Sequence, residues 1–267
     1  MDFITVSQQS AITFITMNRP ALHNAFNDQM IAEMTSAFLD AGRDSSCRVV
    51  VLQSEGKHFS AGADLNWMKN MAGLTREENR ADAMRLAELM YTVYTLPKMV
   101  IAHVKGASYG GALGLICACD VAFAERDATF CLSEVKIGLA PAVISPYVLE
   151  AMGMRNARRF MLSAEVFDAQ LATALGVVHE VCDAMEVESR IRDYAAAATQ
   201  NGPNAVQQCK QLIQSIGHDK IGAHTSSVTA DLIAELRVSE EGQEGLTAFL
   251  QKRIPSWRSG QNQSEAQ

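Results

Sequence analysis

Apolar and polar positions recur with two periods along this chain, and those periods place its elements. Residues 4–7 and 12–17 read as strands on either side of the polar turn Gln8-Gln9-Ser10. Behind Asn27, a residue suited to cap a helix, Met30, Ile31, Met34, Phe38 and Ala41 return at helical spacing, so a helix is predicted to about Gly42. Val49-Val50-Val51-Leu52 is apolar without a break, as expected of a strand covered on both faces. The pattern lapses into a mixed-charge stretch after Asp64, read as flexible. It resumes as a long helix over 76–95, ended by Pro97, and a strand over 99–104. A glycine-rich turn, a helix to about Ala118, and strands over 121–124 and 129–132 follow, with a last strand at Val177-Val178. This alternation argues for an α/β fold of right-handed ββα units, although no exact sequence repeat is present.

From about residue 191 the pattern is wholly helical, over 191–200, 203–216, 228–235 and 240–252. Three regions result: a core over 1–190, a helical region over 191–258, and a polar tail over 259–267 expected to be disordered. A chain of 267 residues with 48% apolar content and a net charge of −7 fits a soluble cytoplasmic protein. The acidity argues against binding nucleic acid through a basic surface. The first residues lack a basic segment and a long apolar run, so neither a secretory signal nor membrane association is expected. Six cysteines without C-x-x-C pairs, among them Cys117, Cys119 and Cys131, are expected to be buried reduced thiols. Six histidines lack metal-ligand spacing, so no metal site is expected.

The chemistry is concentrated in two glycine-centred stretches. One is His58-Phe59-Ser60-Ala61-Gly62-Ala63-Asp64-Leu65; the other is Lys105-Gly106-Ala107-Ser108-Tyr109-Gly110-Gly111-Ala112-Leu113-Gly114. Each follows a β-branched run and leads towards a helix. Small residues at such a turn leave backbone N–H groups accessible. Two such turns aimed at one point would stabilise a developing oxyanion, such as the enolate of a thioester. Either stretch alone can equally be a turn that redirects the chain, and Gly110 with Gly114 can simply let a helix pack closely. Neither matches a phosphate-binding loop. Glu134 lies among Phe130, Cys131, Leu132, Val135 and Ile137, where partial desolvation would raise its pKa towards neutrality. A strand-end glutamate paired with Lys136 or an arginine is the structural alternative. Asp64 reads as a helix cap, Asp120 as a hydrogen-bonded structural carboxylate, and His103 as a core histidine.

Together these segments resemble the crotonase, or enoyl-CoA hydratase/isomerase, superfamily. The resemblance runs from Ile4 to about Arg258. It includes Asn18-Arg19-Pro20, Asn24-Ala25-Phe26, both glycine turns, Ser133-Glu134-Val135-Lys136-Ile137-Gly138-Leu139, and Phe249-Leu250-Gln251-Lys252-Arg253-Ile254-Pro255. Asn66-Trp67-Met68 and Leu139-Ala140-Pro141-Ala142-Val143-Ile144-Ser145-Pro146 look more like bacterial 3-methylglutaconyl-CoA hydratases, and like the related isohexenylglutaconyl-CoA hydratases.

The resemblance implies a spiral ββα core of two sheets and a C-terminal helical trimerisation region, hence a homotrimer or homohexamer. It implies an oxyanion hole made by the N–H groups of Ala63 and Gly111, with Glu134 as the proton carrier. It also implies contacts to the acyl-CoA substrate from Leu22, Ala61, Asp64, Leu65, Gly114 and Lys252. No separate cofactor is expected, coenzyme A being part of the substrate. The expected activity is hydration of a branched enoyl-CoA, best 3-methylglutaconyl-CoA to 3-hydroxy-3-methylglutaryl-CoA in leucine breakdown. The alternatives are an isomerase with one carboxylate, an isohexenylglutaconyl-CoA hydratase, or a non-catalytic acyl-CoA-binding protein. Where two-glutamate hydratases carry their first carboxylate this chain has Gly114, read as a void that admits a branched C3 substituent.

Overall fold

Val49, Val50, Val51 and Leu52 lie at the centre of a six-stranded sheet and are all buried. This strand, β3 (Val49–Ser54), pairs in parallel with β2 (Ile12–Met17) and with β4 (Met99–Val104). In the computed structural model, which describes residues 1–217 and 219–259, β1 (Ile4–Gln9) closes one edge antiparallel to β2. β6 (Val121–Glu125) and β9 (Glu180–Cys182) complete the other edge in parallel. A second sheet of three short strands has the order β5 (Ala107–Tyr109), β7 (Thr129–Cys131), β8 (Phe167–Asp168).

Helices cover the sheets with the faces the sequence pattern marks. α1 (Asp28–Arg43) buries Met30, Ile31, Met34, Phe38 and Ala41, and the Asn27 side chain accepts the Met30 N–H at 2.9 Å. α3 (Arg76–Thr95) starts in a reciprocal Thr75–Glu78 capping box. α4 (Gly111–Ala118) runs through the core, with Ala112, Leu113, Gly114, Leu115 and Ile116 buried.

Several expectations need correction. The stretch after Asp64 is a helix, α2 (Leu65–Met71), because the Asp64 carboxylate accepts the N–H groups of Asn66 and Trp67 and so organises its first turn. Val177 and Val178 are buried but form no strand: both N–H groups turn back to the Ala172 carbonyl at the end of α6 (Ala169–Ala174), and the strand begins only at Glu180. α5 (Ser145–Ser163), unmarked in the sequence pattern, carries Pro146 in its first turn and is interrupted at Gly153, where φ is 73°.

The chain forms two compact units, Met1–Ala195 and the remainder from Ala196. α7 (Val187–Thr199) starts four residues before the predicted position and crosses between them. The second unit contains α8 (Pro203–Ile216), α9 (Ala223–Val238), α10 (Glu240–Leu250) and α11 (Ser256–Ser259). α9 is longer than predicted at both ends, and α10 stops before Lys252. Glu241 of α10 accepts the Asn204 and Ala205 N–H groups at 3.0 and 2.8 Å, satisfying the start of α8. Ile213, Phe249 and Leu250 are largely exposed and Leu246 about half exposed. Most of the predicted tail lies outside the described residues. No helix among the described residues is long and apolar enough to cross a membrane.

Candidate active site

The two glycine turns lie side by side, joined by backbone pairing. Phe59 N–H donates to the Lys105 carbonyl (2.7 Å), Ser60 N–H to that of Ala107 (3.1 Å), and Tyr109 N–H to that of Ser60 (3.0 Å). These bonds form a parallel bridge between Ser60 and Ser108. Ala63 and Gly111 each lie three residues beyond it, so the register brings the two equivalent positions forward together. Gly62, at φ 101°, lets the first turn approach the second: a Cβ there would stand 3.2 Å from the Tyr109 carbonyl oxygen.

Phe26 orients the first donor and packs beside the second. Its N–H donates to the Gly62 carbonyl (2.7 Å), and its carbonyl accepts from the Asp64 N–H (2.8 Å). Those two bonds occupy one edge of the segment, and in extended backbone the intervening N–H of Ala63 points to the other edge. The Phe26 ring lies 3.4 Å from where a Cβ on Gly111 would be. Gly111 is the first residue of α4, so its N–H has no intrahelical partner and sits at the positive end of the helix. Neither N–H has a hydrogen-bond acceptor among the described residues.

Glu134 opens a 3-10 turn, Glu134–Ile137, shortly after β7. Its Oε1 lies 3.1 Å from the place a Cβ would take on Gly110, the residue before the Gly111 donor. Its Oε2 is buried without a hydrogen-bond partner among the described residues. Burial pushes the carboxyl above the usual carboxylate range. A carboxylate with one unpartnered oxygen and a raised pKa, beside the turn that carries the free Gly111 N–H, can exchange protons next to a polarised carbonyl.

The other expected site residues sort unequally. Ala61 and Leu65 are exposed and Leu22 is half exposed, and the Ala61 N–H donates to the His23 carbonyl (3.0 Å), which ties the Leu22 loop to the first turn. Asp64 is corrected as a substrate contact. Its carboxylate is engaged by Arg19 at 2.9 Å and by the first turn of α2, and its N–H by Phe26. Burial alone would raise its pKa, but the Arg19 hydrogen bond and the helix amides prevail and hold it below the usual range. Lys252 belongs to the second unit, in a left-handed conformation after α10.

The void at Gly114 is also corrected. A Cβ on Gly114 would stand 2.2 Å from Ile144 Cγ2 and 2.3 Å from Ile144 Cβ. The branched side chain of Ile144, 2% exposed, already fills that space. Glu134 and Ile144 begin and end one connection, and each leans on the first turn of α4, one at Gly110 and the other at Gly114.

His103 and Asp120 take the structural roles anticipated for them. Burial holds the His103 pKa down to about 4, and its Nε2 lies 3.3 Å from Glu125 Oε1. Asp120 accepts the Val100 N–H at 2.7 Å. All six cysteines are free thiols, but only Cys47, Cys131 and Cys182 are buried; Cys117 and Cys119 are partly buried and Cys209 is exposed. Sequence reading assigned no role to Arg19, Phe26 or Ile144. The signal available for Ile144 was the bare Gly114 inside an apolar helix, which requires a partner to fill the space above it.

A family model described as enoyl-CoA hydratase/isomerase matches residues 7–261 of the chain. A putative enoyl-CoA hydratase/isomerase (crotonase) from Legionella pneumophila is similar at 47% identity, with 96% of this chain and 98% of that one covered and a TM-score of 0.90. An enoyl-CoA hydratase structure from Shewanella pealeana is similar at 45% identity, with 96% of each chain covered and a TM-score of 0.93. A 2,3-dehydroadipyl-CoA hydratase of Escherichia coli is 30% identical over 261 residues, 97% of this chain and 99% of that protein.

Proposed function

We propose that this chain, which belongs to the enoyl-CoA hydratase/isomerase family and is a hydratase-type enzyme, adds water to a branched α,β-unsaturated acyl-CoA bearing a distal carboxylate. The substrate that fits best is 3-methylglutaconyl-CoA, giving 3-hydroxy-3-methylglutaryl-CoA. The reading is carried by one observation: the free N–H groups of Ala63 and Gly111 lie in register beside a carboxylate whose Oε2 has no partner. The Asn66-Trp67-Met68 and 139–146 segments support the branched substrate. The name of the Escherichia coli relative, a hydratase of a dicarboxylic thioester, supports the distal carboxylate.

In this mechanism the two N–H groups bind the thioester oxygen. Glu134 takes a proton from water as its oxygen adds to C3, and the electron pair moves through C2 onto the thioester oxygen. The same proton then passes from Glu134 to C2, so a single carboxylate balances the reaction. Each N–H donor contributes about 3 kcal/mol to the barrier reduction, by analogy with oxyanion holes elsewhere. Coenzyme A would lie along the outward residues Leu22, Ala61 and Leu65, with no separate cofactor. Arg85 is engaged by Asp82 at 2.7 Å, which leaves Lys69 and Arg80 as candidate partners of the distal carboxylate. Exposed Ile213, Leu246 and Phe249 support assembly as a trimer or hexamer through the second unit.

The packing of Ile144 against Gly114 favours one second reading. The atoms nearest Gly114 among the described residues belong to Ile144 rather than to a carboxylate, so an isomerase that moves one proton between C4 and C2 is the alternative. A panel of branched and straight 2-enoyl and 3-enoyl thioesters separates the two. Hydration consumes enoyl absorbance and adds the mass of one water. Isomerisation creates enoyl absorbance with no mass change. Failure of every 2-enoyl thioester to gain water would overturn the proposal.

A further inference from the structure

His58 holds together the two backbone segments whose register defines the site. Its Nδ1 accepts the N–H of Ala107 at 3.0 Å. A backbone N–H can only donate, so this nitrogen is unprotonated and the neutral ring carries its proton on Nε2. Ala107 is thereby fixed at both ends, since its carbonyl accepts from Ser60 N–H. The His58 carbonyl in turn accepts from Asn24 Nδ2 at 2.8 Å and from Ser54 Oγ at 3.1 Å. The ring stands edge-on to His23, with centroids 4.9 Å apart, and the His23 carbonyl accepts the Ala61 N–H. One imidazole thus meets the second turn, while its own backbone and its ring neighbour belong to the first turn and to the loop beside it.

We infer that His58 is a positioning residue, whose neutral imidazole fixes the separation of the Ala63 and Gly111 N–H groups by latching the second turn to the first. The inference rests on the oxyanion reading above. It assigns His58 no contact with substrate. Ala107 opens β5 and lies upstream of Gly111 in the same short segment, so losing its hold frees the second donor to drift from the first. A proton on Nδ1 would set two donors face to face and release the latch. Burial, then the neighbouring His23 and Lys57, lower the His58 pKa from its ordinary value; Asp127 opposes them. The ring therefore stays neutral at neutral pH, and the latch opens only in acid.

The test compares His58→Asn, whose amide oxygen can accept the same N–H but does not titrate, with His58→Leu, which cannot accept it. At pH 7 the Leu variant should lose at least about tenfold in kcat, with KM within about threefold, while the Asn variant keeps kcat within about threefold. The infrared stretch of bound 13C-labelled butyryl-CoA, an unreactive saturated thioester, should shift down on binding to the native and Asn proteins and lose that shift in the Leu variant. In acid, native kcat should fall with a slope approaching two protons, from Glu134 and His58, and that of the Asn variant with a slope of one. A Leu variant that retains both turnover and carbonyl shift overturns the inference, as does an Asn variant as impaired as Leu. An unchanged acid limb in the Asn variant also overturns it. If the Leu variant fails to fold, the Asn and native acid limbs decide alone. If the native protein hydrates no enoyl-CoA, the functional reading fails, and the carbonyl shift still judges the latch.

Discussion

Asp64 and Glu134 are carboxylates set beside the two donor turns, and their surroundings drive them in opposite directions. Asp64 is met by Arg19 and by two amides of α2, and its pKa lies below the usual range. Glu134 keeps one oxygen buried and unpartnered, and burial holds its pKa above that range. In the proposed mechanism the same chemical group is a structural clamp beside one turn and a proton carrier beside the other, according to whether its neighbours satisfy its charge. The supports differ in kind as well. Polar bonds from Arg19, Asn24 and Asp64 hold the first turn. The second relies on apolar packing of α4 against Ile144 and Phe26 in addition to its bonds to His58 and to the first turn.

The largest effect should come from removing the reactive member. Glu134→Gln keeps the shape and removes proton transfer, so kcat for hydration should fall about 10³-fold while affinity for a saturated acyl-CoA, measured by calorimetry, changes little. More than a tenth of native turnover in this variant would show that the proton is carried elsewhere. The packed flank should be next. Gly114→Ala drives a methyl into Ile144 and should destabilise the protein by about 3 kcal/mol in denaturant titration. Adding Ile144→Ala should recover part of that loss, with a coupling of about 1 kcal/mol or more. Strict additivity would mean that the two residues do not compete for one space.

A smaller stability effect is expected at Asp64. Asp64→Asn retains an acceptor for the α2 cap but leaves the Arg19 guanidinium without its countercharge, at a cost of about 2 kcal/mol. The sign of its pH dependence follows from the lowered folded pKa. The native advantage is complete above the unfolded pKa of about 4 and fades as pH falls through the folded value. Equal destabilisation of the variant at pH 7 and at the acid end of its folded range would mean that the charge of Asp64 does not matter.

What was legible in the sequence and what was not divide along the same line. The central strands are legible because a strand covered on both faces must be apolar throughout, as 49–52 is. Glycines mark the two turns and an apolar segment marks Glu134, but each pattern alone also fits a structural role, and only the family resemblance assigned them the chemistry. α2 escaped notice although Asp64 was read as a cap, since seven residues are too few to show a helical period. α5 escaped because Gly153 breaks its period and its Pro146 start lies inside a segment read as a motif. Ile144 over Gly114 and Arg19 on Asp64 are pairings between residues distant in the chain, and no local pattern records them.

The smallest effect runs opposite to the first. Glu134 has a raised folded pKa, so the folded state favours its protonated form. Its contribution to stability is therefore fully favourable below the unfolded pKa of about 4 and is lost as pH rises through the folded value. Once ionised, the side chain stands buried with an unsatisfied oxygen, at a cost to the fold. Glu134→Gln removes that charge and should be the more stable protein at pH 7, by about 1 kcal/mol. The gain should shrink as the native glutamate becomes protonated in acid. Thermal melts of the two proteins across that range measure the difference directly. A variant less stable than native at every pH would mean that Glu134 is held by favourable interactions, as Asp64 is, and the contrast between the two turns would collapse.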